Sequence, residues 1–65
     1  MLISVGKGKS DPHTWWVRVQ GRGTKEVFGV EKMDFPTLHE ERALDAVVEF
    51  WEEAEKKGFE VEVKV

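Results

Sequence analysis

The chain has no cysteine, no asparagine and no tyrosine, and Gln20 is its only glutamine. Without cysteine there can be neither a disulfide framework nor a thiolate zinc site. The usual supports of very small proteins are therefore missing. A 65-residue chain has to rely on its core, which at this size buries only about 60% of the surface that the unfolded chain exposes. The lack of cysteine fits a reducing compartment, and a cytoplasmic location is the expectation. No apolar run approaches the roughly 20 residues that span a bilayer. Met1–Val5 is apolar but has no basic segment before it, so no secretory leader and no membrane span are expected.

A strong charge of either sign is also missing. The formal net charge is −3, which gives no general attraction to nucleic acid. The charges are unevenly placed, however. Residues 1–35 hold six basic and four acidic side chains, and residues 36–58 hold seven acidic and three basic ones. The acidic excess thus belongs to one segment, and the rest is mildly basic. Scarce amides with 35% charged residues is a heat-tolerant style of composition. It is equally the style of a computed surface, and both origins stay open.

The clearest signal present is a helix over residues 37–58. Thr37-Leu38-His39-Glu40 has the form of a capping box, with Pro36 discouraging any earlier helical start. Glu40 and Glu41 suit the positive end of the helix dipole, and Lys56 and Lys57 the negative end. Gly58 then supplies the left-handed residue that ends a helix. Between these signals Ala43, Leu44, Val47, Phe50, Trp51 and Ala54 recur at helical spacing as an apolar stripe. Arg42, Asp45, Glu49, Glu52, Glu53 and Lys56 face water.

Strict alternation over Phe59–Val65 predicts a strand with one buried face. Leu2–Val5 is predicted as the first strand. Thr14–Gln20 is predicted as the second, with Trp15, Val17 and Val19 turned inward and Trp16, Arg18 and Gln20 outward. Gly21-Arg22-Gly23 reads as a tight connection into a third strand over Thr24–Met33, with Phe28 and Val30 opposite Val27 and Gly29. The expected fold is therefore a single α+β domain in the order β-β-β-α-β. The first three strands form an antiparallel meander. The fourth returns beside the first and parallel to it by a right-handed crossover. One helix covers one face. The other face would show Trp16, Arg18, Gln20, Val27, Glu60, Glu62 and Lys64.

This order, with a glycine-rich loop after the first strand and a long helix after the third, resembles the N-terminal half of the ribonuclease H fold. The resemblance spans nearly the whole chain and rests on pattern. It implies a metal-binding Asp-Gly pair at the end of the first strand, where this chain has Val5-Gly6. It implies a metal-binding Glu in the helix, where this chain has Arg42, with Glu41 one place away. A two-metal site needs several converging oxygens, so no ribonuclease activity is expected. Degenerate halves of this fold also occur as HicB-like antitoxins. The segment Phe35-Pro36-Thr37-Leu38-His39-Glu40-Glu41-Arg42-Ala43-Leu44 is similar to their helix start, with His39 as an insertion. That resemblance implies a partner nuclease.

No motif points to catalysis or to a cofactor. Gly8-Lys9-Ser10 has the end of a phosphate loop, but Ile3 stands where its first glycine belongs and Asp11-Pro12 follows instead of a helix. His39-Glu40-Glu41-Arg42-Ala43 opens like a zinc-protease helix but has Ala43 in place of the second histidine. His13 and His39 read as ordinary polar residues, and the helix glutamates as a solvated face. Two interaction surfaces compete. Trp16 and Arg18 with Lys7, Lys9, Arg22 and Lys25 would suit nucleic acid, through stacking and phosphate neutralisation. A cross-strand Trp16–Val27 packing contact is the plainer reading of that tryptophan. Alternatively the open face or an edge strand would bind a protein partner or a second copy. Glu60, Glu62 and Lys64 then read as protection against promiscuous pairing. A non-catalytic protein-interaction module is the leading expectation. An RNA- or DNA-binding domain and an engineered scaffold without biochemical activity are the alternatives.

Overall fold

A computed structural model covers residues 1–65. It contains β1 (Leu2–Lys7), β2 (Trp15–Gln20), α1 (Thr24–Phe28), β3 (Lys32–Thr37), α2 (Glu40–Lys56) and β4 (Glu62–Lys64). The four strands form one mixed sheet in the order β3-β2-β1-β4. β1 pairs antiparallel with β2 and parallel with β4, and β2 pairs antiparallel with β3. The α+β class, the meander and the parallel return of the last strand are as the sequence predicts.

The segment between β2 and β3 is different. Thr24–Phe28 is a short helix, and the third strand lies later, at Lys32–Thr37. The local reason is the pair of flanking glycines. Gly23 and Gly29 both sit in the left-handed region, at φ 95° and 80°, so the chain turns sharply on either side of five residues. Val27 and Phe28 are adjacent rather than alternating, which suits a helical turn that presents Phe28 to α2. The rings of Phe28 and Phe50 meet edge to face at 5.4 Å. β3 does alternate, with Met33, Phe35 and Thr37 opposite Lys32, Asp34 and Pro36. Pro36 lacks an N–H but is tolerated because β3 is an edge strand.

The start of α2 is also displaced. Its N-cap is His39, in extended conformation and without a side-chain cap bond. Thr37 belongs to β3, and its hydroxyl accepts the His39 N–H at 3.3 Å, two residues on rather than three. The end of α2 follows expectation. Gly58 is left-handed at φ 84°. The Phe59 N–H donates to the Ala54 carbonyl at 3.0 Å and the Gly58 N–H to the Glu55 carbonyl at 2.9 Å, which is a Schellman closure.

The core lies between α2 and the sheet. Ile3, Val5, Val17, Val19, Ala43, Ala46 and Val47 form its buried centre, and Ala54 is buried as well. Met1, Trp15, Phe28, Met33, Phe50, Val61 and Val63 pack around it. The alanines on α2 bring the helix close to β-branched residues on β1 and β2, where little side-chain entropy is lost. α2 packs on β1, β2 and β3 and has at most marginal contact with β4.

Candidate interaction surface

The register decides which side chains share a face. Ile3, Val5, Val17 and Val19 point to α2, so Leu2, Ser4, Gly6, Trp16, Arg18 and Gln20 lie on the open face. Lys32, Asp34 and Pro36 join them from β3, and Glu62 and Lys64 from β4.

Trp16 is opposite Gly6 on one side and Pro36 on the other. Its ring covers Gly6 so closely that a Cβ there would stand 3.0 Å from Trp16 Cζ2. Its Nε1–H donates to the Lys7 carbonyl at 3.1 Å, and the Arg18 guanidinium lies 5.3 Å from the ring centroid. The expected Trp16–Val27 contact is overturned, because Val27 belongs to α1 and the cross-strand neighbours of Trp16 are Gly6 and Pro36. Val27 is accordingly no part of the open face.

Arg18 donates through Nε to Asp34 Oδ1 at 2.8 Å, directly across from β2 to β3. That bond holds the Asp34 carboxyl below its ordinary value, with the charges of Arg18 and Lys32 acting in the same direction. The guanidinium is thus already engaged by a carboxylate and a ring.

The basic residues do not gather around Trp16. Lys7 projects on the helix side of the sheet, and its ammonium lies 5.1 Å from the Trp15 ring centroid. Lys9 is exposed in the following loop. That loop is tied down rather than free. Asp11 accepts the His13 N–H at 3.0 Å and the Thr14 hydroxyl at 2.7 Å, and the Gly8 N–H donates to the Thr14 carbonyl at 2.8 Å. The Thr14 hydroxyl, with the His13 amide second, lowers the Asp11 carboxyl from its ordinary value. Arg22 and Lys25 border a shallow depression with Glu26 and Glu31 at the other end of the sheet, beyond Gln20. The six residues of β2 separate those two ends by about 17 Å at ~3.3 Å per residue. The six predicted surface residues are therefore split between two ends and two faces.

The structure reveals a different surface on α2. Leu44, Val48 and Trp51 are 48%, 51% and 41% exposed. Two of them, Leu44 and Trp51, belong by their spacing to the core stripe but stand on its flank. Trp51 borders a shallow depression of about 450 Å³ with Glu55, Gly58, Phe59, Glu60 and Val61, so this flank faces the segment leading into β4. The opposite flank, with Glu49 and Glu53, faces Phe28 of α1. Val65, just beyond β4, is 95% exposed. A sign of this surface is present in the sequence. Residues 43, 44, 46, 47, 48, 50, 51 and 54 cover an arc of about 200° at 100° per residue, roughly twice the stripe one sheet contact needs.

No group of three or more His, Asp or Glu side chains is placed to hold a metal ion. No helix is long and apolar enough to cross a membrane. Comparison with protein-family models, with curated proteins and with solved structures finds no match to this chain.

Proposed function

We propose that this chain is a non-catalytic protein-interaction module, and that its partner docks along the β4 edge and the adjoining flank of α2. The observation that carries this reading is the exposed row Leu44, Val48 and Trp51, whose Trp51 stands beside the segment leading into an edge strand of only three residues. Apolar side chains grouped beside unpaired strand backbone suit strand addition, with side-chain contacts adding specificity. Tryptophan is also the residue type that most often dominates interface energetics. The similarity of Phe35–Leu44 to the helix start of HicB-like antitoxins supports a nuclease as one class of partner.

A nucleic-acid role for Trp16, Arg18, Lys7, Lys9, Arg22 and Lys25 has less support. The Trp16 ring is covered on the Gly6 side, Arg18 is paired with Asp34, and the lysines and Arg22 lie apart.

Photo-crosslinking separates these readings. A photoreactive residue is placed at position 48, on the flank, or at position 18, on the open face, and irradiated in extract from the protein's own source. The expected result is a cross-link from position 48 to one identified protein, a second copy included. That protein, once purified, should lose about tenfold or more in affinity with Trp51→Ala. Cross-links to nucleic acid from position 18 would overturn the reading. Silence at both positions would favour a scaffold without a biochemical role.

A further inference from the structure

We infer that the partner seated on the β4 edge is a second copy of this chain, joined antiparallel about a twofold axis through Val63. The inference rests on the docking surface proposed above and names its occupant.

The backbone offers the pairing. The Glu62 N–H donates to the Met1 carbonyl at 2.9 Å, so the main-chain polar groups of Glu62 point toward β1. In a strand the next residue directs its N–H and C=O the other way. Val63 therefore directs both groups outward, to the free edge of the sheet. Two copies related by a twofold axis at Val63 exchange both bonds there and set Val61 opposite Val65 of the other copy.

The side chains choose the register. Glu62 and Lys64 flank Val63 on the open face. With Val63 at the axis, each Glu62 stands opposite the Lys64 of the other copy, twice per dimer. These are non-hydrogen-bonded positions, where the Cα atoms approach to about 4.5 Å and side chains interact most closely. An axis at Glu62 would set glutamate against glutamate, and one at Lys64 lysine against lysine. A slip by one residue would put the helix of one copy on the opposite face from the helix of the other. Charges that repel unrelated strand edges are thus complementary to themselves in one register only.

The helix side agrees. Because α2 covers β1, β2 and β3 but hardly β4, Val61 and Val63 reach the core only at its margin and stay partly buried, and Val65 is exposed. In the paired arrangement Val61, Val63 and Val65 of both copies form one continuous row on the helix side. The flanks carrying Leu44, Val48 and Trp51 border it from both sides. A twofold interface of this kind is self-complementary by construction.

The test is sedimentation equilibrium of the purified full chain, with exchange of the Val63 amide as a second readout. The wild type should sediment as a dimer, with the Val63 amide slow to exchange. Glu62→Lys and Lys64→Glu each put like charges face to face and should give monomers with a fast Val63 amide. Both positions are exposed, so the melting temperature of the monomeric fold should hardly move. The double exchange Glu62→Lys with Lys64→Glu should restore the dimer. A monomeric wild type would overturn the inference, as would a dimer indifferent to these charges. If the purified chain is monomeric while position 48 still cross-links a different protein, the self-pairing fails and the interaction module stands.

Discussion

The Phe59 ring occupies the space where a side chain at Gly23 would stand. A Cβ on Gly23 would lie 2.6 Å from Phe59 Cδ1 and 2.8 Å from Cγ. The residue that follows the helix stop thereby seals the turn that opens α1, and ties the chain's last segment to the β2–α1 connection. Gly23 is also at φ 95°. Gly23→Ala should thus cost about 1–2 kcal/mol for the left-handed backbone and roughly 1–3 kcal/mol more for the overpacked ring. Urea unfolding at constant m-value measures it. A loss under 1 kcal/mol would show that the ring moves aside freely.

Thr24 is fully buried and its hydroxyl has no hydrogen-bond partner. A buried unpaired hydroxyl costs about 1–3 kcal/mol. Thr24→Val keeps the shape and removes the polar atom. Its melting temperature should rise by several degrees, since about 1 kcal/mol moves a domain of this size by 4–8 °C. A fall would mean that the hydroxyl is satisfied in solution.

Trp16 is a structural residue by its contacts, with its ring over Gly6 and its Nε1–H on the Lys7 carbonyl. Trp16→Ala should therefore destabilise by roughly 2 kcal/mol, within the range for losing a partly buried aromatic. Trp16→Phe should recover part of that loss, because it keeps ring packing and gives up the hydrogen bond. Calorimetric melting reads both. An alanine variant that melts like the wild type would mark the ring as displayed for a ligand instead.

The Arg18–Asp34 bond makes a prediction about pH. Asp34 titrates below its ordinary value because Arg18 stabilises the carboxylate. The folded value lies below the unfolded one, so the stabilisation is complete above the ordinary aspartate range. It fades as pH falls through that range toward the folded value. Both side chains are substantially exposed, so the effect on stability is small and screened by salt. Carbon NMR of the Asp34 carboxyl is the sharper measurement. Arg18→Ala should move its titration midpoint upward, and an unmoved midpoint would show that Arg18 does not stabilise the carboxylate. Asp11 should respond in the same direction to Thr14→Ala, because the Thr14 hydroxyl is the main cause of its lowered value.

Much of this fold is legible in the residues themselves. The alternation through β1, β2 and β4, the helical spacing after Pro36 and the Gly58 stop are local patterns. Each is enforced by neighbours within four residues, so sequence alone carries them. Residues 21–37 are harder, because their patterns conflict. Thr24–Phe28 is rich in strand-favouring residues, and Pro36 counts against the strand that does form. Contacts from far along the chain decide between them, chiefly Phe50 against Phe28 and Phe59 over Gly23. The candidate surface divides similarly. Trp16 and Arg18 are placed correctly by alternation, but their partners Gly6 and Asp34 come from other strands, which no local pattern specifies.

By itself the sequence determined one long amphipathic helix, three of the four strands and the order in which they pair, because periodicity and end signals act over a few residues. Tertiary structure alone decided how much of the wide apolar arc on α2 is covered. α2 packs chiefly on β1, β2 and β3, and that contact takes up only part of the arc, so Leu44, Val48 and Trp51 stay at the surface.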